Sequence, residues 1–414
     1  MFKQSCGVAL LAAAILTINP AGGQPVAPGT TVEELLALLA EGSPALAAMA
    51  AERRSAVARA GAASSLPDPT FRFLADEVDR DGNAEFRYSL EQEFPLWGKL
   101  DLRARAAAAE VEAARARESG TANDLVAAVR IAFAQSYFAH QARRLVTEQR
   151  AQAASQAALA VTRYARGLGS TADALRAEAE RVRLETELHR LEAEAQGAQA
   201  RLNGLLGRQA GAPLAVPARL AAMPPMERLA VAELRARLSR DNPTLQAAAA
   251  EQGAAEQGRR LAEREWYPDV SVMLGGIDRR DNGPTAFMAG IGVRVPLQAG
   301  LRRANERAAA EQQAAATARR SNAARTAEAE LDEALAALVA ARAIERIARD
   351  SLLPQAEAAY RASLVAFERT QVAGIDAVLD ASRRVLDARL EALKAEVEQQ
   401  RQLARIERLI GGAP

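Results

Sequence analysis

Residues 84–119 read AEFRYSLEQEFPLWGKLDLRARAAAAEVEAARARES. The stretch opens with a period of two: Phe86, Tyr88, Leu90, Gln92 and Phe94 fall on one side, and Arg87, Ser89, Glu91 and Glu93 on the other. That alternation predicts a strand with one mainly apolar face. Pro95 has no N–H to donate and ends the pairing. Trp97-Gly98 turns the chain, and a long Ala/Glu/Arg helix begins near Asp101. The same order recurs at 285–320, TAFMAGIGVRVPLQAGLRRANERAAAEQQAAATARR. There Phe287, Ala289, Ile291, Val293 and Val295 alternate, Pro296-Leu297 matches Pro95-Leu96, and a long helix follows. Pro95 and Pro296 are 201 residues apart.

Working outward, the rest of the chain also falls into two copies. Thr31 with Glu34 has the spacing of a capping box before a short leucine-rich helix. Ser43-Pro44 reads as an N-cap followed by proline at the first helical position, and Leu66-Pro67-Asp68-Pro69 stops that helix. Strands are expected at about 70–78 and 84–94, around a turn at Asp79–Asn83. The first long helix runs about 101–166; 66 residues at 1.5 Å each give roughly 100 Å, too long for a globular helix. Gly167-Leu168-Gly169-Ser170 breaks it. On the return helix, 171–206, Leu184, Leu188, Leu191, Ala195, Ala198, Leu202 and Leu205 step by four and three, the seam of a left-handed coiled coil. A linker with four prolines, 207–227, separates the first repeat, 24–206, from the second, 228–411. In the second, Asn242-Pro243 matches Ser43-Pro44, and Trp266-Tyr267-Pro268-Asp269 matches Ser65-Leu66-Pro67-Asp68. Strands follow at about 269–277 and 285–295, with the turn Asp278–Pro284 between them. A helical hairpin occupies 301–411, kinked at Pro354 and broken at Thr370–Gly374. Its last helix carries Leu386, Leu390, Leu393 and Val397 at coiled-coil steps.

Composition narrows the function. Basic residues number 53 and acidic residues 52, so nothing favours a nucleic-acid partner. The N-terminus reads as a secretory signal over 1–23: Lys3, an apolar run Val8–Ile18 too short to span a bilayer, and small residues Ala21-Gly22-Gly23, with the mature chain starting near Gln24. Cys6, the one cysteine, precedes the apolar run, so no lipid anchor is expected. No later stretch is apolar for about 18 residues, and any entry into a membrane must be through strands. Two hairpins give four strands, each about ten residues long, a length that suits a tilted membrane strand. Four strands cannot close a barrel, and an open edge cannot face lipid. The chain is therefore expected to oligomerise, a trimer giving twelve strands.

FPLWGK at 94–99, VPLQAGLRR at 295–303, LLPQAEAAY at 352–360 and the breaks at Tyr164…Asp173 and Phe367…Asp376 together resemble the TolC family of outer-membrane efflux channels. FPLWGK resembles the metal-efflux branch typified by CzcC and CusC. The resemblance spans essentially the whole mature chain. It implies a mainly α fold with a membrane β part, and a homotrimer whose twelve-stranded β-barrel is continuous with a periplasmic α-helical barrel. It implies a passive export duct for metal cations or small toxic compounds. The implied partners are a periplasmic adaptor and an inner-membrane pump of the RND type. No catalysis and no cofactor are implied.

The resemblance also places candidate residues. The two turns, Gly167-Leu168-Gly169-Ser170 and Gln371-Val372-Ala373-Gly374, correspond to the tips that meet the adaptor; the plainer reading is that glycine permits a turn, but an exposed Leu168 or Val372 would suit docking. Asp376 and Asp380 lie four apart on one helix face. Related channels carry acids after the second turn that ring the periplasmic entrance, and three copies here would bring six carboxylates to one pore. The match is better at Asp380; the upstream acid, Asp376, sits one position early. Asp173 reads as a helix start favoured by the N-terminal dipole. Phe94, Trp97, Trp266 and Tyr267 would sit at the membrane interface or simply pack the strand-to-helix turn. His140 and His189 are isolated, and no cluster has metal-ligand spacing. No phosphate loop, nucleophile elbow or triad is present in the sequence. The competing class is a periplasmic adaptor or structural coiled coil, but an adaptor has one helical hairpin in a β-domain, and this chain has two, each behind its own β-hairpin.

Overall fold

The computed structural model describes residues 27–76, 85–279, 284–369 and 374–413. The leader at 1–23, the turn Asp79–Asn83, most of the second hairpin turn and Gln371-Val372-Ala373 lie outside the described residues. The chain is mainly helical. Two short helices, α1 (Val32–Gly42) and α2 (Pro44–Ala63), precede strands β1 (Thr70–Asp76) and β2 (Glu85–Phe94). The long helix α3 (Lys99–Ala165) and its return α4 (Thr171–Leu205) follow. The second half runs α5 (Val231–Asp241), α6 (Pro243–Arg264), β3 (Asp269–Arg279), β4 (Ala286–Arg294), α7 (Ala299–Ile347), α8 (Leu353–Arg369) and α9 (Ile375–Leu409). Among the described residues no single helix is long and apolar enough to cross a membrane.

Local chemistry explains the boundaries. Ser43 accepts from the Leu46 N–H at the head of α2, and Asn242 accepts from the Leu245 N–H at 3.0 Å at the head of α6. Asn242 also donates 2.8 Å to the Leu409 carbonyl, so the cap of one helix satisfies the end of another. The Thr31–Glu34 capping box does not form: the Thr31 side chain makes no cap bond to α1. The Glu34 carboxylate instead reaches back to the Gly29 N–H at 2.8 Å and to the Thr30 hydroxyl at 2.5 Å, because the preceding loop folds over the helix start and offers donors closer to hand. At Pro354 the helix continues through a widened π turn, Ala348–Leu352, in which the Leu353 N–H bonds to the Ala348 carbonyl. Proline supplies no N–H to the ladder, and the extra residue absorbs the mismatch.

The four strands form one antiparallel sheet in the order β1-β2-β3-β4, so each half contributes a hairpin and β2–β3 joins the two. The register pairs Leu90 with Phe71 and Leu274, and Leu274 with Ala289. One face is therefore apolar: Phe71, Phe73, Leu90, Leu274, Phe287, Ile291 and Val293 all stand exposed in the single chain. The opposite face carries cross-strand ion pairs, Arg72–Glu91 at 2.9 Å, Arg279–Glu85 at 3.1 Å and Arg294–Glu93 at 2.7 Å. Tyr88 lies against Gly276, where a Cβ would come within 2.6 Å of its ring. β1 and β4 are left as open edges.

The apolar core is strung along a rod rather than gathered at one centre. Around the middle, Leu35, Leu39, Val129, Phe133 and Leu202 pack in the first half, and Leu234, Leu238, Leu331, Leu338 and Ile406 in the second. Below them Val146, Leu184, Leu191, Leu386 and Leu393 join the two coiled coils. Ala160, Ala177, Phe367, Ile375 and Val378 close the far end. Alanine at many contact positions lets helices of this length approach closely enough to exclude water.

Candidate channel entrance and strand-to-helix joint

The far end of the rod holds the first of two polar sites. α3 ends through Gly167, whose φ of 72° is the left-handed conformation that glycine adopts without strain. The Leu168 N–H then bonds 2.8 Å back to the Arg163 carbonyl, a helix-terminating turn that leaves the Leu168 side chain exposed. Arg163 fixes the tip from behind: it donates to the Leu168 carbonyl at 3.2 Å and to the Phe367 carbonyl at 2.5 Å, with its guanidinium 4.5 Å above the Phe367 ring. Ser170 and Asp173 cap α4 reciprocally, at 3.1 and 3.2 Å. That is the helix-start role for Asp173.

Gly374 stands at the head of α9, with Asp376 in its first turn and Asp380 one turn later. Both carboxylates are more than half exposed, and both have an arginine close by: Arg176 of α4 lies 2.8 Å from Asp376, and Arg383 lies 3.3 Å from Asp380. Beneath them sits a residue the sequence reading passed over. Glu180 of α4 is only 3% exposed, and it takes Arg183 at 2.8 Å and Arg383 of α9 at 2.7 Å. Burial pushes its carboxyl upward, but the two guanidinium groups outweigh burial and hold it below the ordinary carboxylate value. The missed signal was a charge in the seam: Ala177, Glu180 and Leu184 continue the coiled-coil spacing, and an acid there must find a partner.

The second site is the joint between sheet and helices. Trp97 and Gly98 both have positive φ, 63° and 76°, and this tight turn brings Lys99 under the strand end. Lys99 is 4% exposed; its ammonium reaches both oxygens of Asp269 at 2.8 Å and the Tyr267 carbonyl at 2.9 Å. Asp269 also accepts from the Leu96 N–H at 3.2 Å, and the Trp97 indole donates 2.8 Å to the Pro268 carbonyl. All three ammonium donors find acceptors, which is what makes a buried lysine tolerable. Of the four candidate interface aromatics, the structure brings two together: the Trp97 and Tyr267 rings lie 5.2 Å apart. Phe94 ends β2, and Trp266 turns instead toward Glu306 of α7 at 3.3 Å. His140 is half-buried among helices, and burial lowers its pKa. Among the described residues no group of His, Cys, Asp or Glu could hold a metal ion.

This architecture, a one-sided apolar sheet continuous with duplicated helical rods, matches known proteins. The sequence profile of the outer membrane efflux protein family matches residues 35–208 and 234–412. The chain belongs to that family. Its members are outer-membrane channels of tripartite efflux systems, channel proteins rather than enzymes. They form trimers that work with adaptor and inner-membrane pump components, and their helical parts lie in the periplasm. No curated protein matches the chain by sequence. Among solved structures it is similar to the outer-membrane channel OprN, with a TM-score of 0.83, 22% identity, and 92% of this chain and 90% of that one covered. It is similar to VceC from Vibrio cholerae, with a TM-score of 0.80, 20% identity, and coverage of 92% and 96%. It is similar to CusC, with a TM-score of 0.81, 15% identity, and 96% of each chain covered. At these identities the likeness is one of fold.

Proposed function

We propose that this protein is the outer-membrane duct of a tripartite export system, a homotrimer that passes cargo without chemical change. The observation that carries the reading is the sheet: four strands with one apolar face and two open edges, continuous with helices roughly 100 Å long. An open edge has no place in lipid, so copies of the chain close the cylinder, three of them giving twelve strands. Residues 24–206 and 228–411 are the two repeats, joined by the linker 207–227 and preceded by a cleaved, unlipidated leader.

Asp376 and Asp380 then lie at the periplasmic entrance, where three copies repeat the carboxylates around one pore and favour cations. Arg176 and Arg383 beside them set how much of that charge is felt. Gly167, Leu168, Gly169 and Ser170, with Gln371, Val372, Ala373 and Gly374, dock the adaptor that links the duct to an RND-type pump. Phe94, Trp97, Trp266 and Tyr267 border the membrane. The FPLWGK signature supports metal cations as cargo, with small toxic compounds the alternative, and selection residing in the pump.

Reconstituted in planar bilayers, the protein is expected to conduct, and Asp380→Ala to alter conductance or cation preference. A channel unchanged by that substitution removes Asp380 from the entrance. Export of divalent cations against organic dyes from a deletion strain separates the cargo classes.

A further inference from the structure

The joint held by Lys99 has a counterpart that one chain leaves unfinished. Asp269 lies 201 residues after Asp68, and the β4–α7 turn, Pro296-Leu297, lies 201 residues after Pro95-Leu96. In the finished joint, the Leu96 N–H donates to Asp269. In the unfinished one, the Leu297 N–H has no aspartate and turns back to its own Val295 carbonyl at 3.0 Å. Asp68 is exposed and has no side-chain partner among the described residues. Leu297 is 84% exposed, against 40% for Leu96. The lysine itself is missing: the position equivalent to Lys99 is Gly300, where a Cβ would meet nothing within 4 Å.

A cation stands ready for that empty place. Arg303 is three residues after Gly300, on the same face of α7, and helical side chains lean toward the helix N-terminus. It is exposed, and its guanidinium has no partner among the described residues. Its neighbour Arg302 is already held by Glu265 at 3.1 Å.

We infer that a second copy of this chain completes the joint: Asp68 of one copy docks against the β4–α7 turn of the next, taking the Leu297 N–H and pairing with Arg303 where Lys99 would stand. This rests on the trimeric reading above and adds its register. Shifting the β2–β3 pairs by 201 residues turns Gln92↔Val272 into Val293↔Phe71, Leu90↔Leu274 into Ile291↔Phe73, and Glu91↔Met273 into Gly292↔Arg72. The derived pairs keep the faces intact. Phe71, Phe73, Ile291 and Val293 stay on the apolar side, and a slip by one residue would reverse every side chain.

The test uses full-length protein with Cys6→Ser. Arg72→Cys with Gly292→Cys is expected to give intermolecular disulfides on mild oxidation, since directly opposed residues lie within bridging distance. Arg72→Cys with Val293→Cys, one residue out of step and facing the other way, is expected to give none. Asp68→Arg and Arg303→Asp are each expected to weaken the detergent-resistant trimer, and the double variant to restore it. One exposed pair shifts an equilibrium roughly twofold to fivefold, and three in a closed ring compound to about 10–100-fold. A trimer that cross-links only through the shifted pair overturns the register. A trimer indifferent to Asp68→Arg overturns the ion pair. A chain that stays monomeric overturns the trimeric reading itself.

Discussion

The Arg383 guanidinium of α9 lies 2.7 Å from the Glu180 carboxylate of α4, tying the first helical hairpin to the second just above their tips. The acid is buried while both its arginines are partly exposed, so its removal takes Arg183 off its carboxylate and leaves Arg383 with Asp380 alone.

Glu180→Ala is expected to lower stability by about 3 kcal/mol, the low end for breaking a buried pair because the arginines can turn to water. Thermal unfolding followed by circular dichroism measures it. The pH dependence has a definite sign. The folded carboxyl titrates below its unfolded value of about 4.3. Its contribution is therefore full above that value and is lost as pH falls through the folded pKa. The difference between wild type and variant should be constant at neutral pH and shrink in acid; a difference that grows in acid would contradict the assignment.

Lys99 and Asp269 form another buried pair, with the lysine almost fully enclosed. Lys99→Met should cost about 3–5 kcal/mol, since it strands a carboxylate at the joint. Lys99→Met combined with Asp269→Leu should recover most of that loss. A double-mutant cycle on the unfolding free energies reads the coupling. Additive effects would mean the two residues act separately.

Leu168 is an exposed leucine on a turn that Arg163 holds rigid. As an adaptor contact, Leu168→Asp should abolish export in cells while leaving single-channel conductance in bilayers unchanged. Unimpaired export would take Leu168 out of the docking surface.

Two strand glycines separate backbone crowding from mere smallness. A Cβ at Gly275 would lie 2.4 Å from the Tyr88 carbonyl oxygen, whereas at Gly290 its nearest neighbour is the Met273 methyl at 3.2 Å. In the proposed trimer, Gly275→Ala should therefore lose the heat-modifiable species on gels, because the ladder itself must shift, and Gly290→Ala should keep it, because the methionine end can swing aside.

Much of this architecture was legible along the chain. The alternation of Phe86 to Phe94 and of Phe287 to Val293 marks strands because side chains change face every residue, and Leu184 to Leu205 marks a seam because a supercoiled helix repeats every three or four. Proline before the strands and helices and glycine at the turns set the punctuation. Less legible were contacts between distant segments. FPLWGK announced a turn, yet nothing in it says that Lys99 closes on an aspartate 170 residues away. Glu180 stood in the seam as a conspicuous charge, but which cation answers it depends on α9 lying beside α4.

The duplicated order of strands and long helices, and the faces they present, are written in the sequence, since these follow from local periodicity and from the stiffness of proline and freedom of glycine; the short helix α5 (Val231–Asp241) is not among the elements read there. Which charges meet depends on how distant helices and strands pack: Glu180 with Arg383, Lys99 with Asp269, and Asp68 with no side-chain partner among the described residues. The physical reason is reach. Hydrophobic periodicity is written within a few residues, whereas an ion pair is fixed to within an ångström by helices that pack through their alanines far from either partner.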